Sequence, residues 1–213
     1  MQVEDYLRRD DRIVLPLGST EQHAYLSLAT DTILAERVAV EAAEPLGVPV
    51  LPALVYGVTP SFVAYPGTVT LRAETYARVL LEATETLQGH GFRRILLVNG
   101  HGGNGVVRDR VERDGVRWHD WFDAQAVSER VEGRGGGHAS WTESFPWTRV
   151  PGVELPDVEK APVSVSRDLP PGDVRRIAGD GSFGGVYARP DEEMLAIWAA
   201  AVAETRRLLE TGW

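Results

Sequence analysis

Glu21, His23, Asp31 and His101 are the side chains of this protein best suited to chemistry, and their spacing lets them meet. Glu21 and His23 stand two apart in Gly18-Ser19-Thr20-Glu21-Gln22-His23, so in extended backbone both point one way while Gln22 points the other. Asp31 follows in Thr30-Asp31-Thr32, and His101 sits in Asn99-Gly100-His101-Gly102-Gly103-Asn104. Carboxylates and imidazoles delivered to one rim of a sheet are the ligands a divalent cation needs, and a cation there suits hydrolysis. A single Asp, with its two oxygens, can bridge a pair of ions. Such a pair deprotonates water at neutral pH and polarises a carbonyl.

These groups need a scaffold, and the apolar pattern supplies one. Arg12 to Leu17 reads as a strand running into the Gly18-Ser19 loop, and Arg94 to Val98 as an unbroken apolar strand covered on both faces. A third strand is expected over Val116 to Trp121, and Val48 to Leu51 begins another extended stretch. Helical periodicity spans 32–44, with Thr30 or Asp31 as its cap, then 72–88 with Gly89 as its stop, 106–113, 124–131 and 190–209. Phe145 to Pro171 is Pro-rich and reads as an irregular excursion toward an active site or a subunit contact. The glycine-rich loop Gly179 to Gly185 reads either as a cover for the site or as an ordinary turn. Strands alternating with helices predict an α/β fold: a three-layer α/β/α sandwich with a largely parallel sheet, one domain over residues 1–213. In such sheets ligands gather beyond the carboxyl ends of the strands, where the four residues fall.

Composition narrows the partners. The net charge of −9 argues against nucleic acid. The apolar runs are too short for a membrane span, and the acidic start Met1-Gln2-Val3-Glu4-Asp5 is unlike a secretory signal, so a cytoplasmic location is expected. With no cysteine, any metal must sit on nitrogen and oxygen ligands, which suit zinc, manganese or iron. Two other classes stay open: a metal- or small-ligand-binding protein without turnover, and a phosphate-binding protein using the 100–105 loop. That loop lacks the lysine of a P-loop and the spacing of a dinucleotide fingerprint.

Leu15-Pro16-Leu17-Gly18-Ser19-Thr20-Glu21-Gln22-His23, Thr30-Asp31-Thr32, Tyr65-Pro66-Gly67-Thr68 and Asn99-Gly100-His101-Gly102-Gly103-Asn104 resemble, in order, the signatures of the creatininase (creatinine amidohydrolase) family. The resemblance implies an α/β/α fold, two divalent ions, and hydrolysis of a C–N bond in a small cyclic amide, formamide or short peptide. It makes Glu21 and His101 ligands of one ion, His23 a ligand of the other, and Asp31 the bridge. Creatininase itself has a Glu where this chain has Gly103. The segment His138-Ala-Ser-Trp-Thr-Glu143-Ser is similar to a later family segment, which makes Glu143 the missing ligand and His138 the acid that protonates the leaving nitrogen. Tyr65, Gly102, Gly103 and Trp141 are the candidate substrate contacts. A homo-oligomer, commonly a hexamer, is implied. Around residues 24–31 and 61–64 the chain departs from many relatives, so the resemblance does not carry creatinine itself as substrate.

Overall fold

A computed structural model describes residues 2–166 and 168–213. Three parallel strands, β1 (Arg12–Leu17), β2 (Arg94–Asn99) and β3 (Val116–Asp120), form one sheet in the order β1-β2-β3. The register pairs Ile13 with Ile95, Leu17 with Asn99, and Asn99 with Asp120, so the three carboxyl ends finish level.

Alternation along the strands builds the layers. Val14, Leu96 and Val98 pack with Leu34, Val38, Val127, Ile197 and Trp198 from α2 (Thr30–Ala43), α5 (Gln125–Val131) and α7 (Asp191–Thr211). Their neighbours Ile13, Leu15, Leu17, Ile95 and Leu97 point the other way, onto Tyr6, Tyr76, Leu80 and Val111. Those residues come from α1 (Gln2–Leu7), α3 (Ala73–His90) and α4 (Arg108–Val111). The result is a three-layer α/β/α sandwich. Each fully buried aliphatic side chain contributes about 1.5–3 kcal/mol to it.

Several local features differ from the pattern read in sequence. The 48–54 stretch runs beside β1 but forms only isolated parallel bridges, Val14 to Val50 and Leu17 to Leu54. Pro49 and Pro52 have no N–H to give a ladder, which leaves it a ragged edge. Thr30 and Asp31 lie inside the first turn of α2 rather than capping it; Ala29 holds the cap position. α3 runs through Gly89 and stops at Gly91, whose φ of 109° suits glycine. Residues Gly102–Val107 wind as 3-10 helix, so the helix expected over 106–113 shrinks to the four residues of α4. Two short helices lacked a sequence signal: α1, and α6 (Pro171–Ala178), which begins on a proline. Within the irregular stretch, Phe145 and Trp147 stack at 5.5 Å and pack on Trp198 of α7. Among the described residues no helix is long and apolar enough to cross a membrane.

Candidate metal and substrate site

The site forms where β1 and β2 end. The Gly100 N–H donates to Leu17 O at 2.8 Å, tying the two strand exits together. A Cβ at Gly100 would overlap the Asp31 carbonyl, so glycine there lets the β2 exit press against the first turn of α2. Asp31 is thereby carried to the strand ends.

Asn104 then fixes the loops. Its Oδ1 accepts the Val58 N–H at 3.0 Å, while its Nδ2 donates to Gly18 O at 3.1 Å and Asn99 Oδ1 at 3.0 Å. Asn99 in turn donates to His101 O at 2.8 Å and Asp120 Oδ1 at 2.7 Å. Buried side-chain amides thus set the path of the backbone on either side of His101.

Each of three imidazoles is aimed by a main-chain carbonyl. A carbonyl oxygen only accepts, so the ring nitrogen facing it carries the proton and the other is left as the ligand or base. His23 Nδ1–H donates to Glu21 O at 3.1 Å, leaving Nε2 at 3.0 Å from Asp31 Oδ1 and 3.7 Å from Glu143 Oε2. His101 Nε2–H donates to Val58 O at 3.1 Å, leaving Nδ1 at 3.0 Å from Asp31 Oδ2 and 3.4 Å from Glu21 Oε1. His138 Nε2–H donates to Gln22 O at 2.8 Å, leaving Nδ1 at 3.5 Å from Glu21 Oε1.

The carboxylates are held as firmly. Ser19 Oγ donates to Asp31 Oδ2 at 2.7 Å, Thr59 Oγ1 donates to Glu21 Oε2, and the Ala139 N–H donates to Glu143 Oε2 at 2.6 Å. Among the described residues, Ala139 is one of two non-glycine residues at positive φ (56°); Ala24, directly after His23, is the other (50°). Both strained positions adjoin an imidazole of the site.

Glu21, Asp31 and His101 form one group whose ligand atoms all lie within 4.8 Å of one another; His23, Asp31 and Glu143 form a second, and Glu21, His23 and His138 a third. The first two share Asp31, one oxygen of which faces each imidazole. Electrostatics fit cations here. Burial pushes Glu21 up, only partly offset by His101, and pushes Glu143 up to about 7. Burial opposes charge on both imidazoles, yet Asp31 raises His23 to about 10, and Glu21 with Asp31 raises His101 to about 9. Against the same burial, His23 and then His101 hold Asp31 well below the usual carboxylate range. Three carboxylates crowded together therefore demand positive charge, which two protons or two divalent ions can supply.

A cavity of about 740 Å³ opens beside this cluster, lined among others by Glu21, Asp31, His101, Gly102, Gly103, His138 and Glu143. A Cβ at Gly103 would overlap both Val58 O and His101 Nε2. That position therefore has no room for a side-chain carboxylate. Within the 100–105 loop, Gly103 packs onto His101, while a Cβ at Gly102 or Gly105 would meet open space. The other two candidate contacts lie behind the cavity wall. Trp141 is fully buried, donates its indole N–H to Gly135 O at 2.7 Å, and lies under the guanidinium groups of Arg134 and Arg189 at 5.0 and 4.3 Å. Tyr65 is buried with its ring 5.6 Å from Phe62. The aromatic residues that do reach the cavity include Phe62 and Phe183, 4.6 and 5.1 Å from the His138 ring, and Trp121, whose Nε1 has no partner.

Phe183 belongs to the 179–185 loop. There Asp180 accepts from Tyr187 at 2.6 Å and from Lys160, the chain's one lysine, while its own carbonyl accepts from Gln22 Nε2 at 2.9 Å. His119 takes no part: it is buried against α7, bonded to Thr205 Oγ1 at 3.0 Å.

Comparisons with known proteins agree on the fold. The family model described as Creatininase (creatinine amidohydrolase) matches residues 1–209. A 3-dehydro-scyllo-inosose hydrolase of Thermotoga maritima is 33% identical over 108 residues, 50% of this chain and 35% of that protein. A mycofactocin precursor peptide peptidase of Mycolicibacterium smegmatis is 37% identical over 99 residues, 43% of this chain and 40% of that protein. The matched stretches thus span well under half the length of these relatives. A solved structure, described as creatininase with Mn, superposes with a TM-score of 0.79 at 23% identity, covering 99% of this chain and 96% of that one.

Proposed function

This chain belongs to the creatininase family of amidohydrolases, and from that premise we propose that it uses two divalent ions to hydrolyse a C–N bond. Glu21, His101 and Asp31 would hold one ion; His23, Glu143 and the other oxygen of Asp31 would hold the second. The observation that carries the reading is the placement of Asp31, with each oxygen 3.0 Å from a different imidazole. Manganese, zinc and iron all suit this donor set, and related solved structures are described with Mn and as a Zn-Zn type. The substrate class is a small cyclic amide, a formamide or a short peptide, and the working form is a homo-oligomer in the cytoplasm.

Bound there, the cations supply a Lewis acid for the amide carbonyl and lower the pKa of water. The residues do the rest. Burial and the nearby His23 push His138 down to about 3, so its imidazole is neutral at pH 7. With Nε2 committed to Gln22 O, the open Nδ1 can take a proton from attacking water and return it to the departing nitrogen. Thr59 and Ser19 keep Glu21 and Asp31 oriented throughout.

The test is metal analysis of the purified protein, followed by a screen of lactams, formamides and short peptides. About two equivalents of transition metal and turnover of one class are expected. His138→Ala should keep the metal and lose roughly 10²–10⁴-fold in kcat, the usual span for a proton-transfer group. Absence of bound metal refutes the reading, and full activity in His138→Ala refutes the role of His138. Two bound ions without turnover of any class would make the protein a metal-retaining binder instead.

A further inference from the structure

Beyond the ligand cluster the cavity wall is mainly apolar, with Thr59, Ser61 and Thr142 as its uncharged polar side chains. Phe62, Val106, Phe122, Val127, Val131 and Phe183 line it. Among the described residues, the ionisable side chains lining the cavity are the ligand carboxylates, His101 and His138; no Lys or Arg lines it. A volume of about 740 Å³ suits an organic ligand much larger than a lone amide group. A carboxylate or phosphate pressed against such a wall would lose water and meet no counterion among the described residues, whereas an apolar group would gain by leaving water. The Phe62 and Phe183 rings, 4.6 and 5.1 Å from His138, place two aromatic faces beside the nitrogen that His138 would serve.

We infer that the amide cleaved here carries a bulky, uncharged, apolar group, seated on this wall while the amide lies at the ligand cluster. The amide head rests on the amidohydrolase reading; the apolar wall does not. Val106 is about half exposed (47%), so it can be altered without disturbing the core.

The test keeps the two apart. Metal-loaded protein is titrated by calorimetry with acetohydroxamate, 4-phenylbutanohydroxamate and the monohydroxamate of succinic acid, which share a chelating head and differ in the tail. The phenyl tail is expected to tighten binding at least tenfold over the acetyl compound, and the carboxylate tail to give no gain. Val106→Arg should narrow that tenfold preference and draw the carboxylate tail in more tightly. Equal affinities for all three, or a preference for the carboxylate in the unaltered protein, overturn the inference and leave the hydrolase reading standing. If the protein takes up no metal or acetohydroxamate does not bind, the hydrolase reading fails. The wall is then probed in metal-free protein with Nile red, an uncharged apolar dye. Saturable fluorescence enhancement, weakened in Val106→Arg, supports the apolar site, and its absence overturns it.

Discussion

Gly103→Ala is the sharpest probe of how the cluster is held. Position 103 sits where a Cβ would overlap the Val58 carbonyl oxygen and His101 Nε2, with His101 Cδ2 only 3.1 Å away. Carbon contacts relax at about 3.5–4.0 Å, so the carbonyl or the ring must retreat by roughly an ångström. Either movement breaks the 3.1 Å hydrogen bond from His101 Nε2 to Val58 O, since a gap much beyond about 3.5 Å no longer bonds. The ring then loses both its tautomer lock and its aim at Asp31. Losing such an outer partner costs about 10–100-fold in metal affinity, equivalent to about 1.4–2.7 kcal/mol. Overpacking adds about 1–3 kcal/mol of lost stability. Gly105→Ala is the control, because a Cβ there meets nothing within 4 Å. The assay is competition for metal against a chromogenic chelator, with urea unfolding alongside. One ion should weaken by at least tenfold in Gly103→Ala, and neither in Gly105→Ala. A Gly103→Ala protein that keeps both affinities within twofold would refute the argument.

Three further outcomes follow from the same structure. Ala24→Gly removes a side chain from a φ of 50°, and should raise stability by about 1 kcal/mol in urea unfolding instead of lowering it as glycine usually does. His119 is pushed down to about 4 by burial, against 6.5 when exposed. The unfolded chain therefore binds the extra proton first, and stability present above pH 6.5 falls as pH drops toward 4, by on the order of 3 kcal/mol. His119→Gln, which keeps an N–H for Thr205, should flatten that acid limb in thermal melts at pH 7 and pH 4.5; an unchanged limb would contradict the assignment. Asp180→Ala removes the acceptor for Tyr187 and Lys160. It should cost about 1.5–3 kcal/mol and speed amide hydrogen exchange over 180–187 by at least tenfold, with no change at β2.

Much of this could be read from the chain alone, and the part that could not has physical reasons. β1 and β2 announce themselves because strands buried on both faces are written as apolar runs, whereas β3, with Arg117 exposed, alternates instead. The metal-suited residues were visible because chemistry needs rare residue types at the strand exits. The proposal of Glu143 as a ligand came through likeness to relatives, since nothing in its own neighbourhood in the sequence marks one. Thr59, 38 residues from the Glu21 it holds, carries no local signature. Asn104 stood in a quoted motif, but its grip on Gly18, Val58 and Asn99 exists only once three loops converge. Trp141 was expected at the substrate because aromatic residues near a catalytic segment often line pockets. Here its indole instead supports the Gly135 turn from inside. α6 escaped notice because its Pro170-Pro171-Gly172 start reads as a turn.

The three imidazoles are oriented by the oxygens of residues 21, 22 and 58, atoms that belong to the peptide chain itself. No change of side chain at those positions can delete an acceptor that every amino acid possesses. The side chains around the cluster can thus be exchanged while those three acceptors stay in place. A fold that orients its histidines this way can accept changes along the pocket wall without disturbing their aim.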